Sequence, residues 1–430
     1  MKIKNIILNS LFILLNTILI NAQIIDSPPD TVAGIPANYY ESKTGEYTLP
    51  NPLLCQDGSL VETQNTWLTK RRDEIIKLFE DNQFGVTPKF DYNFIYEVYE
   101  KGTLAINGKA KRTQVTINLF TNGDKQKLNV LYYLPFKADK PSPMLLYISF
   151  RANSQVIDDP EIIEGYIWDR NTKEKVLAGR ESRFGKTNVE NIIDSGFGFA
   201  TIYYGDIEPD FEDGYKFGIR TISNSEDNKS NTWGSFAVWS WGLSRVLDYF
   251  ETDKAVDSRK TTIMGVSRLG KTVLWAGALD ERFAAIIPVC SGESGASLSR
   301  RNYGETIVHI ASPLRYHYWF APKYQEFCED VSKLPVDGHM LISLIAPRPI
   351  LLITGNTDKW SDPYGEYLAA KAAEPVYHLF GKKGLETDKQ PREEIPVLND
   401  ISFFMHDGGH GMIESDWKVI LDFLQNHFTD

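Results

Sequence analysis

Cysteine is scarce in this chain: Cys55, Cys290 and Cys328 are all that 430 residues hold. Three are too few for a disulfide framework. They leave room for one bridge in an oxidising compartment, with no pairing favoured by the sequence. A basic excess is missing as well. The net charge is -11, which argues against a nucleic-acid binder, since that needs a basic face. No internal repeat, low-complexity tract or long Pro/Gly/Ser linker occurs, so repeat arrays and flexibly strung modules are excluded.

Long apolar runs are also absent, with one exception at the start. Ile6 to Ile20 follows Lys2 and Lys4 and precedes Asn21-Ala22-Gln23. A short positive region, an apolar stretch and a small residue before a polar start are the pattern of a secretory signal peptide, here 1–22. Asn9, Ser10, Asn16 and Thr17 interrupt the run, which weighs against a membrane anchor. No cysteine follows it as a lipid attachment site. The mature chain, 23–430, is therefore expected to be exported to the periplasm or the medium, unanchored and monomeric.

What is present is enough apolar material for a packed core, at 42% hydrophobic and 12% aromatic residues. Gln64 to Gly85 has helical apolar spacing and a glycine stop. It closes an N-terminal extension of about 23–90. "YNFIYEVYE", "RTQVTINLF" and "KLNVLYYLP" then alternate like antiparallel strands. After them the pattern changes to short, nearly continuous apolar runs: Pro143–Phe150, Gly196–Tyr204, Lys260–Val266, Ala284–Val289 and Arg348–Gly355. Such runs suit strands buried on both faces of a parallel sheet. Helix-like stretches alternate with them, which implies one α/β domain: a three-layer sandwich with a mostly parallel central sheet and antiparallel first strands. Trp233, Trp239 and Trp241 fit core packing of one of those helices better than a ligand platform.

In such sheets chemistry sits beyond the carboxyl ends of the strands. Ser267 follows the run "TTIMGV" directly and a helix-like stretch begins behind it, the shape of a nucleophile elbow. Glycine is missing two residues after this serine, where Leu269 stands; Gly270 comes one place later. A plain helix N-cap would also put a serine there. The elbow reading therefore needs a base and an acid in the order serine, acid, histidine. Of seven histidines, His309, His317, His339, His378 and His427 read as structural or surface groups. His410 follows the final strand, just before a helix starting near Glu414, and is the better base than His406. A zinc pair from His406 and His410 is disfavoured because Gly408 and Gly409 break the helix it requires, and no metal or cofactor is expected. The acid should follow "RPILLITG", where Asp358 and Asp362 stand; Asp358 is nearer the strand end. Arg268 is placed to support an oxyanion, and Lys271 lies one turn along the same helix.

These segments resemble a known family. "GVSRLGKTVLWAGALDERFA" is similar to the Gly-Cys-Ser-Arg-x-Gly-Lys elbow of the glucuronoyl esterases, carbohydrate esterase family fifteen, whose own variant carries the late glycine. "GFATIYYGDIEPDF", "SLSRRNYGETI", "PVDGHMLISLIAPRP" and "DKWSDPYGEYLAA" look like further blocks of that family, over roughly Tyr39 to the C-terminus. The resemblance implies an α/β-hydrolase fold. It also implies cleavage of the ester between a glucuronic or 4-O-methylglucuronic acid branch of xylan and a lignin alcohol. Ser267 would be the nucleophile, His410 the base and Arg268 the oxyanion donor, while Lys271, Glu305 and Trp360 would contact the uronate. Two departures stand out. Cys290 occupies the place where the family often has a glutamate acid, with Glu293 three residues on, and "ISFRANSQ" differs from the block expected after the third strand. Two other readings compete: a different carbohydrate esterase such as an acetyl xylan esterase, and a silent hydrolase-fold domain that binds polysaccharide.

Overall fold

The computed structural model describes residues 30–121, 124–223 and 232–429. The signal peptide expected over 1–22 lies outside the described residues. One nine-stranded sheet organises the rest. Across it run Ile401–His406, Ile350–Gly355, Ala285–Val289, Val256–Val266, Ser142–Ser149, Gly198–Tyr203, Asp124–Pro135, Ala110–Thr121 and Asn93–Ala105. The first six are mutually parallel and the last three are joined antiparallel. The alternating segments thus form the antiparallel end, and the continuous apolar runs form the parallel centre.

Helices cover both faces, as the expected sandwich requires. Ser235–Phe250, Arg268–Leu279 and Pro363–Leu379 pack with the larger core cluster, through residues such as Val246, Val273 and Ala369. Val189–Asp194 and Glu414–Phe428 close the other face with Ile192, Val419 and Phe423. Trp233 and Trp239 are fully buried in the first cluster, and Trp241 packs at 5.5 Å on Phe90. All three therefore do core work. The helix expected over 64–85 forms as one helical segment with two wider π turns, at Trp67–Arg71 and Glu80–Phe84. Its Phe84 stacks on Trp275 at 4.6 Å, so the N-terminal extension is anchored to the back of the helix that begins at Arg268. All three thiols are free. No helix among the described residues is long and apolar enough to cross a membrane.

Candidate active site

Val266 ends its strand in register with Val289, and the Ser267 amide donates to the Val289 carbonyl at 2.8 Å. There the chain turns sharply. Ser267 sits at φ 58, ψ -126 before the helix Arg268–Leu279, and its side chain makes no capping hydrogen bond. A positive φ at a residue with a Cβ is strained and persists where the surroundings enforce it. The hydroxyl is thus not spent on the helix, which removes the plain N-cap reading. Two glycines allow the turn. A Cβ at Gly265 would lie 2.3 Å from the Leu269 carbonyl oxygen, and one at Gly270 would press on Ser291 and Val289 at 3.0 and 3.2 Å. The late glycine therefore serves close approach of helix to strand.

Ser267 lines a pocket of about 200 Å³ together with Arg268, Lys271, Glu305, Trp360 and His410. Six of the seven residues singled out from the sequence thus line one pocket. The seventh, Asp358, stands directly behind. His410 Nδ1 lies 2.8 Å from Asp358 Oδ2 and 3.1 Å from the Ser361 hydroxyl. Burial works against a charged imidazole, but the carboxylate wins and raises the His410 pKa. Burial likewise opposes the Asp358 anion, and the charge and hydrogen bond of His410, with help from Ser361, hold its pKa below the ordinary value.

The alternatives for base and acid are engaged elsewhere. His406 Nδ1 faces Asp416 at 2.9 Å and its Nε2 faces the Gly409 carbonyl at 2.9 Å, which pins the loop presenting His410. Asp362 caps Pro363–Leu379 through the Gly365 amide at 3.0 Å and pairs with Arg301 at 2.9 Å. Glu293 is buried among Ser294, Ser299 and Tyr324, and burial pushes its pKa to about 7. Cys290 Sγ donates weakly to the Gly411 carbonyl at 3.6 Å. Its pKa is raised by burial and by Asp358, so it is a neutral thiol. Among the described residues, the one cluster of metal-ligand type is Cys290, Asp358 and His410, within 4.8 Å of one another; it is the same His410–Asp358 pair plus the thiol.

Three of the lining residues are polar and mutually paired. Lys271 Nζ donates to the Ser291 carbonyl at 2.5 Å and meets Glu305 Oε2 at 3.3 Å, while Trp360 Nε1 donates to Glu305 Oε1 at 3.2 Å. A larger cleft of about 620 Å³ lies elsewhere, beside the Ile106–Asn107 turn. Its buried Arg112 is already paired with Asp159 at 2.7 Å and Glu100 at 2.8 Å, and it contains none of the residues above.

A family model described as glucuronyl esterase, fungi, matches residues 227–381. Carbohydrate esterase MZ0003, from an unknown prokaryotic organism, is 40% identical over 402 residues, 91% of this chain and 92% of that protein. The solved glucuronoyl esterase from Solibacter usitatus is 39% identical with a TM-score of 0.85, over 90% of this chain and all of that one. The chain belongs to the glucuronoyl esterases of carbohydrate esterase family 15. Its fold is the α/β-hydrolase fold of that family. The 4-O-methyl-glucuronoyl methylesterase of Phanerochaete carnosa is 32% identical over 157 residues, 35% of this chain and 39% of that protein.

Against that family background, the sequence reading missed the surroundings of Arg268. Its guanidinium lies over the rings of Trp319, Phe150 and Tyr316, at 4.7, 5.5 and 5.7 Å, and Nη1 donates to Asp210 Oδ2 at 2.5 Å. Phe150 belongs to the divergent "ISFRANSQ" segment, whose Arg151 turns away to the Ser182 hydroxyl at 3.0 Å. Arg315 also lines the pocket and carried no motif signal, whereas Ser361 lies within the "DKWSDPYGEYLAA" block without having been given a role.

Proposed function

We propose that this protein is a serine esterase that hydrolyses esters between glucuronic or 4-O-methylglucuronic acid branches of xylan and lignin alcohols. The observation that carries the reading is the uncapped, strained Ser267 in one pocket with His410–Asp358 and the Lys271–Glu305–Trp360 wall. His410 Nε2 takes the Ser267 proton as the oxygen attacks the ester carbonyl, with Asp358 holding the other ring nitrogen. The tetrahedral oxyanion is met by the Arg268 amide and guanidinium. Collapse expels the alcohol, which takes its proton from His410. Water, activated by the same imidazole, then releases the uronate and restores the serine. Lys271, Glu305 and the Trp360 indole supply the paired charges and flat face that a uronate ring with several hydroxyls requires.

The N-terminal pattern supports export after removal of 1–22, with 23–430 acting as one unanchored catalytic unit and as a monomer. Turnover of methyl glucuronate compared with release of acetate from acetylated xylan tests the substrate. An acetyl group offers nothing for Lys271 and Glu305 to hold, so preference for acetylated xylan would refute the assignment.

A further inference from the structure

We propose that Asp210 and Arg170 are positioning residues for the oxyanion guanidinium: Asp210 fixes Arg268, and Arg170 returns the positive charge that Asp210 would otherwise cancel. The inference rests on the oxyanion role given to Arg268 above. Asp210 is buried and accepts five donors. Oδ2 takes Arg268 Nη1 at 2.5 Å, the Tyr204 hydroxyl at 3.0 Å and Arg170 Nη2. Oδ1 takes Trp319 Nε1 at 2.7 Å and the Tyr318 hydroxyl at 3.0 Å. Arg268 is therefore held by one edge, with aromatic rings against its plane, while its buried Nε has no partner among the described residues. A guanidinium held in this way is preorganised, and Arg268 lines the pocket beside Ser267.

The charge count explains the second arginine. Arg268 with Asp210 alone is a neutral pair, and a neutral pair attracts a forming oxyanion weakly. With Arg170 the cluster carries +1. Arg170 comes from outside every motif, at the turn between the short strands Tyr166–Asp169 and Glu174–Leu177. That hairpin is docked by Trp168, whose backbone amide donates to the Tyr203 hydroxyl at 3.1 Å and whose indole donates to the Gly205 carbonyl at 3.0 Å. The hairpin thus delivers a second cation to the same Asp210 oxygen that holds Arg268.

The test is kcat and KM for wild type, Arg170→Gln, Arg170→Lys and the double variant Arg170→Gln/Asp210→Asn, on benzyl glucuronate and on p-nitrophenyl acetate, with the thermal midpoint of each. Arg170→Gln should lower kcat about tenfold or more on both esters and leave KM within about twofold, because the oxyanion exists only past the ground state. Arg170→Lys should recover to within about threefold of wild type. The double variant restores +1 and keeps one side-chain carbonyl oxygen to accept from Arg268, so it should be faster than Arg170→Gln alone, a sign that lost structure cannot produce. A kcat for Arg170→Gln within twofold of wild type, or a double variant no faster than the single, overturns the proposal. Should the double variant fail to fold, the Gln-against-Lys comparison decides alone. The acetyl ester separates this idea from the substrate assignment: an enzyme inert on glucuronate but sensitive at Arg170 on acetate refutes only the latter. A wild type inert on both esters sinks both.

Discussion

Replacing Asp358 by asparagine tests the carboxylate that stands behind His410. The change is nearly isosteric and removes one charge from a buried position 2.8 Å from His410 Nδ1. Two opposite unit charges with centres about 4 Å apart attract by about 4 kcal/mol at the effective dielectric of protein sites, which is roughly a thousandfold in rate if lost entirely from the imidazolium-like transition state. Part is retained, because the Ser361 hydroxyl still lies 3.1 Å from the same nitrogen. The expected loss in kcat is therefore about a hundredfold to a thousandfold on benzyl glucuronate. The pH profile carries a second sign. Asp358 raises the His410 pKa, so removing the carboxylate should move the acid limb of kcat/KM to lower pH. If Asp358→Asn stays within tenfold of wild type while Glu293→Gln cripples the enzyme, the acid follows the Ala285–Val289 strand and the reasoning fails.

Further expectations follow from the same geometry. Arg268→Ala should lower kcat about a hundredfold or more with little change in KM; a rise in KM alone would make it a substrate-binding residue. Lys271→Ala and Glu305→Ala should cut glucuronate turnover at least tenfold and leave acetyl ester hydrolysis within about threefold. Equal losses on both esters would make their 3.3 Å ion pair structural. Glu293→Gln should leave activity within a few-fold and change stability with pH. Burial raises the Glu293 pKa from 4.5 to about 7, so the stability it contributes is present below about 4.5 and lost as pH rises through about 7. The variant should therefore gain about 2 °C or more in thermal midpoint at pH 8 and little at pH 5. A gain confined to pH 5 would refute that account.

Much of this was legible in the residues because local patterns determined it. The alternating runs before residue 136 and the continuous runs after it separated the antiparallel from the parallel strands. Serine, acid and histidine each followed a buried strand, which is where such a sheet exposes side chains. Asp358 stands four residues nearer the strand end than Asp362 and meets His410, while Asp362 is engaged in a helix cap and an ion pair. Contacts between remote segments left no such trace. Arg170 reaches Asp210 across 40 residues from a hairpin without a motif, and Trp319 and Phe150 flank Arg268 from two unrelated loops. Nor did periodicity reveal the π turns at Trp67–Arg71 and Glu80–Phe84, since one extra residue per turn barely changes the apolar spacing.

The most direct test of the central claim is hydrolysis of benzyl glucuronate by the purified protein beside its Ser267→Ala variant. The account predicts turnover by the wild type and a loss of a thousandfold or more in a variant with an unchanged thermal midpoint. A variant within tenfold of wild type, about 1.4 kcal/mol or less in the barrier, would contradict it.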